Sequence, residues 1–151
     1  MKEAYGKFAK KYNLPGFDEL DNEFELSPIE DNEKFLLREV RRKICEKIDC
    51  FIEVVEPIIQ PDTHIKDLHE ARLFSKKDID ELYIIYRRLL FYYRDGNYVS
   101  TICKEDEDAR FIKEFYTEYP SIKDKILSAC EKLKDAWQKE SESEDSIGYL
   151  G

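Results

Sequence analysis

YIIYRRLLFYYRDGNY, residues 83–98, is apolar or aromatic on nearly every side and is interrupted by Arg87, Arg88 and Arg94. Ser75 followed by Asp78 forms a capping box that opens a helix through this stretch, and Gly96 is expected to close it. On a helical wheel Leu82, Tyr83, Tyr86, Leu90 and Tyr93 fall within about 100° of arc and form the predicted core face. Arg87 and Arg94 lie at its edge, where their stems can cover apolar surface. Ile84, Ile85, Phe91 and Tyr92 point the other way, around Arg88. Either the helix is central and wrapped on both sides, or the second face is an interface. On the second reading Ile84, Arg88, Phe91 and Tyr92 bind a protein partner or a second copy of the chain.

Working outward, helical spacing accounts for most of the rest. "SPIE" places Ser27 as N-cap, Pro28 at the first helical position and Glu30 as the acid of a second capping box, which predicts a long helix from there to the neighbourhood of Pro57. Its apolar stripe runs from Ile29 through Leu36, Val40, Ile44, Ile48 and Phe51 to Ile58. Its opposite face begins basic and ends acidic, against the helix dipole. Residues 106–119 and the stretch after Ser121, with Asp124 as a third box, predict two further helices separated by Pro120. Tyr5, Phe8, Ala9 and Tyr12 mark a short opening helix stopped by Asn13, residues 17–26 and 62–73 read as further short pieces, and "NYVSTI", residues 97–102, as a connector. The predicted fold is all-α: a single-domain bundle of four main helices plus two short ones over residues 1–139, then an acidic disordered tail over 140–151. Leu36, Val40, Ile44, Phe51, Leu82, Tyr86, Phe115 and Leu133 are the predicted core.

Composition agrees with long helices. Five Gly and five Pro in 151 residues leave few tight turns, while 39% charged residues imply a heavily charged surface. The net charge of −9 opposes generic binding to nucleic acid or anionic membrane. Charge is nevertheless blocked: residues 16–34 carry a local −7 and residues 38–47 a local +3. Cys45, Cys50, Cys103 and Cys130 have no CxxC spacing and read as reduced thiols, and no apolar run is long enough for a membrane span or signal peptide, so a cytoplasmic protein is expected.

Motifs for chemistry are absent. His64 and His69 are five apart rather than the four that put two zinc ligands on one helix face, and phosphate-loop and nucleophile-elbow patterns are missing. No metal, cofactor or catalytic residue is predicted, and the chain reads as a non-enzymatic protein-interaction module: an adaptor, assembly subunit or regulator. The alternative is a ribonucleoprotein- or replication-associated factor that docks on nucleic acid through Arg38, Arg41, Arg42, Arg87 and Arg94 with neighbouring aromatics. Ile147, Tyr149 and Leu150 restore hydrophobicity after the acidic run and are a further candidate docking peptide.

Overall fold

The computed structural model describes residues 1–29 and 33–147. These form α1 (Lys2–Tyr12), α2 (Phe17–Phe24), a 3-10 turn (Glu33–Phe35), α3 (Leu36–Ile59), α4 (Ile65–Ala71), α5 (Lys76–Ile102) and α6 (Glu105–Ile147), with no strand among the described residues. The all-α expectation holds, but the helices differ from those predicted. Residues 106–119 and the last helix are one element, so three long helices replace four main ones. Pro120 lies inside α6, although an interior proline costs about 3 kcal/mol. Burial on both sides of it offsets that cost, because Phe115, Tyr119, Ile122 and Ile126 keep a 3–4 spacing through it and are all buried.

Two further boundaries move. Ser27 does not cap α3: its N–H and hydroxyl both donate to the Asp21 carboxylate, at 2.7 and 2.6 Å. The chain turns there, with Leu26 buried, and α3 begins only at Leu36. Glu30 lies outside the described residues. Gly96 does not close α5 either, and "NYVSTI" is its last turn and a half rather than a connector. The Ser75–Asp78 box is present as predicted: the Asp78 N–H donates to Ser75 Oγ at 3.1 Å, and the Ser75 N–H to the Asp78 carboxylate at 3.0 Å. At the other end, α6 continues to Ile147, so the stretch from Glu140 that was expected to be a disordered tail is helical up to that residue.

Contacts divide the chain into two units, Met1–Ile52 with Arg87–Pro120 and Glu53–Tyr86 with Ser121–Gly151. In the first, Tyr5 is fully buried and donates its hydroxyl to the Pro15 carbonyl at 2.9 Å, which ties α1 to the turn before α2. An aromatic chain fills the interior: Tyr92 meets the Phe115 ring edge-on at 5.0 Å, Phe115 contacts Tyr119 at 5.8 Å, and Tyr119 contacts Phe24 at 4.9 Å. Leu36, Leu37, Val40, Ile44 and Ile48 of α3 complete this core. One ion pair is buried in it, Arg41 Nε to Asp108 Oδ1 at 2.6 Å. Gly96 has a packing role: a Cβ built there would stand 2.9 Å from Cys45 Sγ, so a side chain at 96 requires the Cys45 thiol to move.

The second unit has an aliphatic interior of Val55, Ile58, Leu82, Ile85, Ile122, Ile126 and Ala129. Polar links close its rim. Tyr86 donates to Glu56 at 2.8 Å, Lys125 pairs with Glu81 at 2.7 Å, Lys132 pairs with Asp78 at 3.2 Å, and Trp137 Nε1 donates to Glu70 at 2.8 Å. Of the predicted core, Phe51, Tyr86 and Leu133 are only half-buried. Phe51 stacks on Tyr119, and Tyr86 keeps its hydroxyl on the Glu56 carboxylate, which holds both rings short of full burial.

A candidate partner-binding face on α5

The buried face of α5 is Leu82, Ile85, Leu89, Tyr92, Gly96 and Val99, a 3-4-3-4-3 spacing. It is rotated by about 100°, one residue, from the predicted face. Tyr83 and Tyr93 are exposed and Leu90 is half-buried, whereas Ile85 and Tyr92, placed on the outer face by the sequence reading, are buried. Both faces are apolar, so hydrophobicity alone does not choose between them. In the face adopted, Gly96 meets the Cys45 thiol and amphipathic tyrosines stand at the rim, where their hydroxyls need no buried partner.

Among the candidate partner-binding residues the structure therefore divides the set. Phe91 is 59% exposed, and the Arg88 side chain is half exposed with its Nε 4.0 Å from Glu118. Tyr92 is not available: it is 3% exposed, packs on Phe111 and Phe115, and directs its hydroxyl to the Glu114 carbonyl at 3.4 Å. Burial pushes its phenol well above the usual tyrosine range. Ile84 is exposed but belongs to the second unit. Ile147 ends α6, and Tyr149 and Leu150 lie outside the described residues.

The arginines proposed for nucleic acid also separate. Arg41 is withdrawn from the surface altogether, 4% exposed and paired with Asp108, because the α3–α6 contact closes over it. Burial pushes the Asp108 carboxyl up, partly offset by the Arg41 charge. Arg42 is held by Glu39 at 2.9 Å, and the Arg38 guanidinium lies 4.7 Å above the Phe35 ring. Arg87 and Arg94 are exposed on α5 with Phe91 and Tyr98, the Arg94 guanidinium lying 5.2 Å from the Tyr93 ring, and Tyr98 is 55% exposed. At 3.6 residues per turn Arg87, Phe91, Arg94 and Tyr98 fall within about 60° of arc, on the side away from Leu89, Tyr92 and Gly96. They form an alternating Arg–aromatic ridge.

Beside the ridge runs a groove of about 560 Å³, lined by Phe91, Arg110, Lys113, Glu114, Thr117 and Glu118. Arg110 anchors its floor through Asp95 at 2.9 Å, Glu107 at 2.9 Å and Glu114 at 2.8 Å. These carboxylates, Asp95 first, hold its proton more tightly than usual. Sequence reasoning missed Tyr98 and the α6 side of the groove. The signal for Tyr98 was present, seven residues after Phe91, but counted only once the helix was known to pass Gly96.

No buried side-chain nitrogen or oxygen among the described residues lacks a hydrogen-bond partner, and no group of three His, Cys, Asp or Glu among them converges as a metal site would. None of the described helices is long and apolar enough to cross a membrane. Compared with protein-family models, with characterised proteins and with solved structures, the chain matches none of them.

Proposed function

We propose that the chain is a non-enzymatic protein-interaction module, serving as an adaptor, assembly subunit or regulator, and that it docks through the outward face of α5 in the first unit. The observation that carries this reading is Phe91. A large aromatic at 59% exposure stands between Arg87 and Arg94 and above a groove, and aromatics and arginine are the residue types that dominate binding energy at interfaces. The partner is a protein chain or a second copy of this one. Four unbridged cysteines support a reducing, cytoplasmic setting. In the test, Phe91→Ser and Arg88→Glu are made separately, and melting temperature and association state are measured for each. Lost association with an unchanged melting temperature supports the reading. A fall in stability without a change in association rejects it and assigns Phe91 to packing.

A second reading, a nucleic-acid-docking factor of a ribonucleoprotein or replication assembly, draws support from the same ridge, since arginines and stacking rings suit single strands. The net charge of −9 and the engaged state of Arg41 and Arg42 oppose it. Retention on heparin at low salt is its test.

A further inference from the structure

The short helices of this chain are held down in different ways. α1 and α2 each bury apolar side chains, Ala4 and Tyr5 in one and Leu20 and Phe24 in the other. α4 does not. Its seven residues are too few for a helix that is stable alone in water, so it depends on what it touches. Yet Ile65 is 86% exposed, Leu68 is exposed as well, and the one buried residue of α4 is a carboxylate, Glu70. Glu70 accepts a hydrogen bond from Trp137 Nε1 of α6 at 2.8 Å. His69 sets its ring 5.0 Å from that of Trp137 and its Nε2 3.7 Å from Glu140. Residues 60–64, which lead into α4, are exposed throughout. Firm attachment resumes on either side, at the buried Ile58 of α3 and at the Ser75–Asp78 box.

We infer that α4 is a strap: residues 60–72 swing away from α6 as one piece while the long helices stay folded, and the Glu70–Trp137 hydrogen bond is the catch. The device is separate from the α5 face and does not depend on it. A segment opens locally when its release exposes little apolar surface, and release of α4 breaks a hydrogen bond and a ring contact rather than a core. Opening also changes what α6 presents. A groove of about 570 Å³, lined by His69, Leu73, Ala136 and Lys139 among others, runs along α6 beside the partly exposed Trp137. When α4 lifts, His69 leaves the wall of this groove and the indole N–H is released to another acceptor. α4 thereby gates access to this part of α6.

Trp137 is the one tryptophan in the chain, so its fluorescence reports on the strap directly. The full chain is compared with Glu70→Ala and with Glu70→Gln, whose amide oxygen keeps an acceptor for the indole. Native-state hydrogen exchange is followed across low denaturant, and Trp137 is quenched with acrylamide, both at constant pH. In the unsubstituted chain the amides of residues 68–71 are expected to exchange ahead of those of α3 and α5, at a rate nearly independent of denaturant. Glu70→Ala should speed that exchange by about tenfold or more and increase quenching, with exchange in α3 and α5 unchanged. Glu70→Gln should return both readings close to those of the unsubstituted chain. Exchange at 68–71 with the same steep denaturant dependence as the long helices overturns the inference, because α4 then leaves only when the whole chain unfolds. Faster exchange in Glu70→Ala that spreads to α3 and α5 overturns it and makes Glu70 a packing residue. Unaltered quenching in Glu70→Ala overturns it as well, since α4 then unwinds in place or stays shut. A Glu70→Gln variant as open as Glu70→Ala overturns it too, because the hydrogen bond is then not what holds α4.

Discussion

The two units solve the same packing problem with different side chains. The first buries Phe24, Tyr92, Phe111, Phe115 and Tyr119, rings linked by contacts across α2, α5 and α6, and Tyr5 of α1 against Phe17. Among its described residues the second buries aliphatic and alanine side chains together with Glu70, and keeps the aromatics Phe74, Tyr83, Tyr86 and Trp137 at the half-buried or exposed rim. Rings that interlock fix one another's rotamers, and their loss opens a large void. Aliphatic side chains leave smaller holes, and there the rim links add directional contacts instead. The first unit is therefore expected to be more sensitive to lost volume than the second, and it also holds the buried Arg41–Asp108 pair.

The largest effect that would break this comparison comes from the rings. Phe115→Ala should cost about 3–5 kcal/mol, while Ile85→Ala in the second unit should fall near 2 kcal/mol, at the lower end for its type. Denaturant unfolding of both variants measures this, and equal losses would mean that the aromatic chain is no more constraining than the aliphatic core. Next is the buried ion pair. Arg41→Ala leaves Asp108 buried without its partner and should cost about 3–5 kcal/mol, whereas the double change Arg41→Met with Asp108→Leu should recover most of that loss. If the single change is harmless, water reaches Asp108.

Gly96→Ala sharpens the comparison at the α3–α5 contact. Helix propensity alone favours Ala by about 0.5–1 kcal/mol, but the new methyl meets Cys45 Sγ, so a net loss of about 1–3 kcal/mol is expected. Cys45→Ala in the same chain should restore stability, and a stabilising Gly96→Ala would refute the close approach. The smallest effect concerns pH. Asp78 is depressed below its ordinary 3.8, chiefly by the Ser75 backbone N–H and then by Lys132, and Glu81 below 4.5, chiefly by Lys125. A depressed folded-state carboxyl contributes stability that is present above its unfolded pKa and lost as pH falls through the folded value. The melting temperature should therefore decline as pH drops below about 4.5. Asp78→Asn should flatten part of that decline, and hydrogen exchange should place the change in residues 53–86. Glu105 and Asp21 are depressed in the first unit as well, by Tyr12 and Ser27 first, so the contrast there is one of degree.

Much of this fold was legible in the sequence because its signals are local. Each long helix announced itself by a 3.6 period, and the Ser75–Asp78 box formed because both partners lie within one turn of the same helix. The Ser27 box failed for an equally physical reason: Asp21, held at the end of α2, captured both the N–H and the hydroxyl that the cap requires. Pro120 and Gly96 were read by their intrinsic preferences, as breakers, and both lie inside helices because burial on either side outweighs a local cost of a few kcal/mol.

The candidate face divides in the same way. The order of residues alone determined that α5 carries two apolar faces and that arginine and aromatics share it. Which face looks outward was decided by tertiary structure, since a wheel with apolar residues all round has no preferred rotation. In the rotation adopted, Gly96 faces the Cys45 thiol on α3 and Tyr92 packs on Phe111 and Phe115, which leaves Phe91 and Tyr98 outside. Arg41 likewise looked like its neighbours Arg38 and Arg42 until Asp108, sixty-seven residues away, took it into the interior. Periodicity is a property of one helix and is written in the sequence, whereas the choice of face is a property of a pair of helices and exists only once they meet.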